Sequence, residues 1–234
     1  MIDLKLLTAR AVFGLFPAVS AGDDVKVFSD KSKKKIKTVF RFLRNQEPKG
    51  KNVPNLSLPD YIAPQGEGLT DWIGAFVVTA DIDKAEFDKF KDDDYATIMI
   101  RILSDRIAEA AAEWLHEKIR RDYWGYASQE DLSVDDMLKL KYKGIRPAPG
   151  YPACPDHTEK QVIFDLLGAE KAIGARLTEN FAMIPPASVS GYIFSHPGAT
   201  YFNLGKIASD QLKDYAKRKN FTIDEATKWL SPNL

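Results

Sequence analysis

The chain lacks most features from which function is usually read directly. Its 234 residues include one cysteine, Cys154, which excludes an internal disulfide and fits a reducing compartment. Only three histidines occur, His116, His157 and His196. Cys154 and His157 have the spacing of two metal ligands, but a structural zinc site needs four, and no second cysteine exists. As a nucleophile and its base, the same pair lacks an identifiable group to orient His157, and Cys154 is wedged between Ala153 and Pro155. No catalytic residue and no metal site are therefore expected. Net charge is also missing: 33 Lys and Arg balance 33 Asp and Glu, so no global field favours nucleic acid. No apolar run approaches the roughly 20 residues that span a bilayer. Met-Ile-Asp-Leu-Lys does not open like a signal peptide. A cytoplasmic chain without nucleic-acid or membrane partners is the expectation. G-x-G-x-x-G and G-x-x-x-x-G-K-S/T are both absent, so neither a dinucleotide site nor a P-loop is signalled. What remains, 44% hydrophobic and 28% charged, is ordinary globular composition, enough for one large core or two small ones.

The most distinctive stretch runs from Gly144 to Lys160, G-I-R-P-A-P-G-Y-P-A-C-P-D-H-T-E-K. Pro147, Pro149, Pro152 and Pro155 each fix φ, remove a donor and push the preceding residue out of the α region. The spacing predicts a stiff, extended loop, and preorganisation lowers the entropic cost of binding. Arg146 carries a planar fork suited to a carboxylate or phosphate. Tyr151 adds a flat face, and Gly144 and Gly150 permit close backbone approach. On residue types alone, a rigid structural crossover is an equal reading.

Around this loop the pattern predicts an α+β chain. Residues 11–16 read as a short buried strand ended by Pro17 and Gly22. Val25 to Phe28 and Ile36 to Leu43 flank S-D-K-S-K-K-K and read as a hairpin with a basic tip, either an anion patch or a solvated loop. Residues 45–70 read as irregular. Trp72 to Thr79 is a nearly continuous apolar run, the mark of a central strand. Asp71 at its mouth suits ligand contact, but in isolation the residue reads first as a turn cap. A short polar helix is expected at 83–91. Asp94 to Arg121 is the strongest helical pattern, with Tyr95, Ile98, Ile102, Ile107, Trp114, Leu115 and Ile119 recurring at three- and four-residue steps. Residues 122–127 read as an aromatic turn and Leu132 to Leu140 as a short helix. Capping boxes are expected at Ser133/Asp136, Asp156/Glu159 and Thr222/Glu225. Leu177 to Ile184, Val189 to Phe194 and Tyr201 to Leu204 read as strands, and Ile207 to Lys217 and Thr222 to Leu230 as helices.

The long helix breaks a local rule. Asp105, Glu109, Glu113 and Glu117 stand four apart and stack on one face, where like charges cost a few tenths of a kcal/mol per pair. A cationic ligand relieves this. So does a solvated face in which Arg101 pairs with Asp105 and Arg121 with Glu117.

R-P-A-P-G-Y-P-A-C-P-D-H-T-E-K closely resembles the S-adenosylmethionine-binding loop of the activation domain of cobalamin-dependent methionine synthase. V-F-G-L-F-P-A (12–18), D-Y-I-A-P (60–64), D-W-I-G-A-F (71–76), D-Y-W-G-Y-A (122–127), L-T-E-N-F-A-M (177–183), S-V-S-G-Y-I-F-S-H-P (188–197) and W-L-S-P-N-L (229–234) resemble it too, in order. The likeness covers nearly the whole of residues 1–234. It implies one α+β domain: a twisted, mainly antiparallel sheet flanked by helices. It implies S-adenosylmethionine binding in support of reductive methylation of cob(II)alamin, with cobalamin held by a separate domain and the electron supplied by flavodoxin or a related reductase. The parent enzyme is a methyltransferase; this chain alone is expected to bind without turnover. By position, Arg146 matches the arginine that grips the methionine carboxylate. Ala148, Gly150 and Tyr151 match the loop lining the ligand, and Tyr201 and Phe202 match the aromatic pair beside it. Glu109 matches a residue of the binding cleft, and Asp105, one turn earlier, becomes the candidate to face the corrinoid partner. The family's early Asp-Trp-x-x-Phe-Phe segment has no counterpart here, so one wall of the site is expected to be missing. A non-catalytic docking module for a cobalamin domain or reductase, or a stand-alone reactivator of another corrinoid protein, remain the alternatives.

Overall fold

The computed structural model describes residues 6–234. Met1 to Lys5, read above as no signal peptide, lie outside the described residues. Strands β1 (Leu7–Ala21), β2 (Asp24–Phe28), β3 (Ile36–Arg41) and β4 (Asp71–Ile82) come first. The short β5 (Arg176–Leu177) and β6 (Met183–Ile184) and then β7 (Ser188–Ile193) follow late in the chain. The main sheet has the order β3-β2-β1-β4-β7, and all of its pairings are antiparallel. The helices are α1 (Lys84–Phe87), α2 (Asp94–Lys118), α3 (Val134–Leu138), α4 (Glu159–Leu167), α5 (Ala169–Ile173), α6 (Ser209–Lys219) and α7 (Ile223–Leu230). This is the α+β architecture expected, with helices against both faces of the sheet.

β4 explains the arrangement. Successive side chains of a strand point to opposite faces. Ile73, Ala75 and Val77 join the core under α4 and α5, whereas Phe76 and Val78 join the core under α2. Both faces are covered, so the apolar run does not alternate with polar residues. A third cluster packs α6 and α7 against Leu43 and Leu204.

Several local expectations are corrected. β1 does not stop at Pro17 but runs through it, with Pro17 opposite Trp72. β2 pairs with β1 only from Ala18 onward, so at Pro17 the strand has one neighbour, and an edge position tolerates the missing donor. Leu177 to Ile184 is not one strand but the tiny hairpin β5–β6, turned at Phe181, which adopts φ 57°. Residues 201–204 form no strand. Asp156 and Glu159 form no capping box: Thr158 occupies the N-cap of α4 and Glu159 is buried. The boxes at Ser133/Asp136 and Thr222/Glu225 are present.

The helix α2 forms, but its buried face differs from the apolar stripe in the sequence. Tyr95 is 75% exposed and Trp114 56%, and Ile98 and Ile102 are also exposed. The face against the sheet is Ile100, Ser104, Ala108, Ala112, Leu115 and Ile119. Small residues in its middle let the helix approach closely, and Ser104 Oγ donates to Ala80 O of β4 at 2.9 Å. After Lys118 the helix widens into a π turn over Ile119–Tyr123.

Candidate functional site

The proline loop lies along β7, the open edge of the sheet. Ile145 N–H donates to Phe194 O at 3.0 Å, Phe194 N–H donates back at 2.9 Å, and Tyr192 N–H donates to Pro147 O at 2.9 Å. At Pro147 the loop offers its carbonyl to β7, so the missing donor loses no bond there. Two glycines permit this approach. Gly144 has φ 76°, and a Cβ there would stand 2.3 Å from Phe194 O. A Cβ on Gly191 of β7 would stand 2.6 Å from Pro147 O.

Past Pro149 the loop turns on itself. Tyr151 N–H donates to Ala148 O at 3.1 Å, and Gly150 N–H to Cys154 O at 2.8 Å. The Cys154 thiol donates to Ala148 O at 3.0 Å, and burial pushes its pKa up, so it stays a thiol. The loop ends in buried charge. Asp156 accepts from Thr158 N–H (2.8 Å), Thr158 O–H (2.7 Å) and Tyr215 O–H of α6 (2.6 Å). Beside it Glu159 accepts from Lys219 Nζ at 2.6 Å and from the Arg41 N–H of β3 at 3.1 Å. Burial holds the Glu159 carboxyl above the usual carboxylate range despite the lowering pull of Lys219.

Between this loop, the middle of α2 and residues 201–203 lies a cleft of about 490 Å³, within the size range of small-molecule sites. Glu109, Arg146, Ala148, Tyr151, Tyr201 and Phe202 all line it. Two of the anticipated positions do not. Gly150 has φ 96° and packs against His157, 2.3 Å from where a Cβ would be, so it shapes the loop without lining the cleft. Asp105 lines a neighbouring hollow of about 540 Å³ with Asp81, Arg101 and Ser104.

Among the described residues, Glu109 and Arg146 are the only charged side chains on the cleft wall. Among the described residues no hydrogen bond or ion pair engages Glu109 or Asp105, and Arg101 lies over the Phe87 ring at 5.7 Å instead of pairing with Asp105. Arg121 does pair with Glu117, at 2.9 Å. Arg146 Nη2 contacts Glu113 Oε1 of α2. Arg146 Nε and Glu113 Oε2 are buried without a partner among the described residues. The Arg146 backbone N–H donates to the Tyr201 hydroxyl at 3.0 Å, which lies 3.3 Å from the Tyr142 hydroxyl. Burial, and then this contact, raises the Tyr142 pKa. Behind it His116 is fully buried, edge-on to Tyr142 at 4.9 Å. Burial, with the charges of Arg120 and Arg146, holds its pKa well below the ordinary value, so the ring is neutral.

Sequence reasoning singled out neither Glu113 nor Tyr142 as a site residue. The four-residue carboxylate ladder contained Glu113, but only the fold shows that Arg146 reaches it. Tyr142, Phe76 and Val189 line the cleft and carry no local signal.

Chemically, the arrangement offers a guanidinium and an unpaired carboxylate in one mostly apolar cleft with aromatic rings beside them. That set fits a ligand with an aromatic group, a carboxylate and a cationic centre.

Residues 1–220 match the family described as vitamin B12 dependent methionine synthase, activation domain. Among solved structures, the chain is similar to the crystal structure of the MetH reactivation domain bound to AdoHcy. The two are 48% identical, with a TM-score of 0.95 over 99% of this chain and 72% of that one. With sequence and fold in agreement over nearly its whole length, the chain belongs to the vitamin B12 dependent methionine synthase activation domain family.

Proposed function

We propose that the cleft binds S-adenosylmethionine and presents its methyl group for reductive methylation of cob(II)alamin carried by a separate cobalamin-binding domain. One observation carries this reading. Arg146, Glu109 and Tyr201 converge on one cleft, in a chain 48% identical to a reactivation domain bound to AdoHcy. When bound, S-adenosylmethionine would supply the methyl group, and the separately held cobalamin, reduced by one electron from a flavodoxin-type reductase, would be its acceptor, leaving S-adenosylhomocysteine.

The chain's own residues bind and align. Arg146 takes the methionine carboxylate. Glu109 supplies the negative charge opposite the ligand's cationic end. The Tyr201 ring on the cleft wall would face the sulfonium, where a cation–π contact contributes about 0.5–2 kcal/mol. Ala148, Tyr151 and Phe202 enclose the remainder, and Gly150 sets the turn that aims Tyr151. Asp105 lies outside the cleft and is assigned to the side that meets the cobalamin domain. The isolated chain binds its ligand without turnover, because cobalamin is held elsewhere. A cytoplasmic location follows from the reducing chemistry; among the described residues no helix is long and apolar enough to cross a membrane.

Calorimetric titration of the chain with S-adenosylmethionine, and with S-adenosylhomocysteine for comparison, tests the reading. Saturable one-to-one binding of both is expected. A folded chain that binds neither would overturn it and leave docking to the cobalamin domain as the function.

A further inference from the structure

We infer that Glu113 is a positioning residue: through the Arg146 guanidinium it sets how strongly the cleft prefers ligands that carry a carboxylate. The inference rests on the binding role proposed above and assigns a task to a residue that does not itself line the cleft.

Arg146 comes from a loop, and an arginine side chain is long and flexible. Here it is fixed at both ends. Its backbone N–H is held by the Tyr201 hydroxyl, and its Nη2 is held by Glu113. The guanidinium is mostly enclosed, with 13% of the side chain exposed. Glu113 stands one turn after Glu109 on α2, so a single rigid helix places both the carboxylate in the cleft and the one that orients its guanidinium.

The contact is one-sided. Glu113 uses one oxygen on one nitrogen, and its Oε2 and the Arg146 Nε are buried without partners. A carboxylate that closed the arginine off would engage the fork with both oxygens. Among the described residues none hydrogen-bonds Arg146 Nη1, which is not fully buried, so it remains for a second carboxylate. Glu113 therefore orients the guanidinium without consuming it, and it balances the arginine's charge while the cleft is empty. The like-charge ladder on α2 is resolved the same way. Glu117 is taken by Arg121 and Glu113 by Arg146, which leaves Glu109 as the free carboxylate in the cleft.

The test uses two ligands that differ by the carboxylate alone, S-adenosylmethionine and its decarboxylated form, titrated calorimetrically into the parent chain, Glu113→Ala and Glu113→Gln. The parent is expected to prefer the carboxylated ligand by about tenfold or more, the scale of one charge-assisted pair. Glu113→Ala should lose most of that preference by weakening S-adenosylmethionine binding alone, with the decarboxylated ligand bound as before. Glu113→Gln keeps an acceptor for Nη2 and should retain the preference. An equal loss for both ligands would mean that Glu113 serves only the fold. Tighter S-adenosylmethionine binding by Glu113→Ala would mean that it competes with the ligand. Either result, or an unchanged preference in Glu113→Ala, overturns the inference while leaving the binding role standing. A parent chain that binds neither ligand overturns both.

Discussion

Replacing Lys219 with methionine probes the buried charge that anchors the far end of the proline loop. Lys219 Nζ lies 2.6 Å from Glu159 Oε1 and 3.5 Å from Asp156 Oδ2, with 7% of its side chain exposed. Asp156 keeps three donors without it: the Thr158 N–H and O–H and the Tyr215 O–H. Glu159 keeps the Arg41 N–H and a longer contact from the Tyr192 O–H at 3.4 Å. Two buried carboxylates are then left without a cation. Removing one partner of a buried pair costs about 3–5 kcal/mol. In a chain of this size that corresponds to a fall in Tm of roughly 6–20 °C. The loss has a pH signature. Without Lys219, the Glu159 carboxyl is pushed further above its unfolded-state value, because burial disfavours the charged form. A carboxyl with a raised folded pKa contributes stability at low pH that disappears as pH rises through that pKa. The deficit relative to the parent should therefore be largest near pH 7.5 and smaller near pH 5. Urea denaturation followed by circular dichroism at both pH values measures it. Adding Glu159→Gln in the same background should recover part of the loss. A deficit below about 1 kcal/mol, or one that does not change with pH, would refute the argument that this cluster bears on stability.

Three further outcomes are expected. Arg146→Ala should weaken S-adenosylmethionine binding about tenfold or more, by loss of a charge-assisted pair. Calorimetry on the folded variant checks it, and unchanged affinity would remove Arg146 from the site. Gly191→Ala should destabilise the chain by about 1–3 kcal/mol and weaken ligand binding, because the new Cβ meets Pro147 O at 2.6 Å and forces the loop off β7. Thermal unfolding together with titration reads both effects, and a variant as stable as the parent would show that the loop yields cheaply. His116 is buried neutral with its pKa well below 6.5, so the unfolded chain binds the extra proton, and this group's contribution falls as pH drops below about 6.5. Between about pH 7.5 and 5.5 the parent should lose more stability than His116→Gln; parallel pH slopes would contradict the neutral assignment.

Much of the backbone was legible in local sequence. Four prolines in nine residues forbid a helix at 147–155, and none forms there. The hairpin β2–β3, the central strand β4, the long helix α2 and the capping boxes at Ser133 and Thr222 follow from patterns within a few residues. The extended resemblance anticipated the family before any geometry was known.

Other features required partners distant in sequence. β1 continues through Pro17 because β2 joins only one residue later, which no local reading of Val12 to Ala18 contains. The apolar stripe at Tyr95, Ile98 and Ile102 identified a helix, yet the sheet took the side with Ser104, Ala108 and Ala112, where close approach is possible. Asp156 and Glu159 have capping-box spacing, but Tyr215 and Lys219, about sixty residues on, draw both carboxylates into a buried network. Glu113 and Arg146 are 33 residues apart and meet because α2 and the proline loop pack over the same sheet. Local sequence determined which conformations each segment could adopt, since φ restriction, capping and periodicity act over one or two turns. Which faces were buried, which charges met and which side chains shared a cleft was decided by tertiary packing, because burial and electrostatic pairing depend on neighbours that only the folded chain brings together.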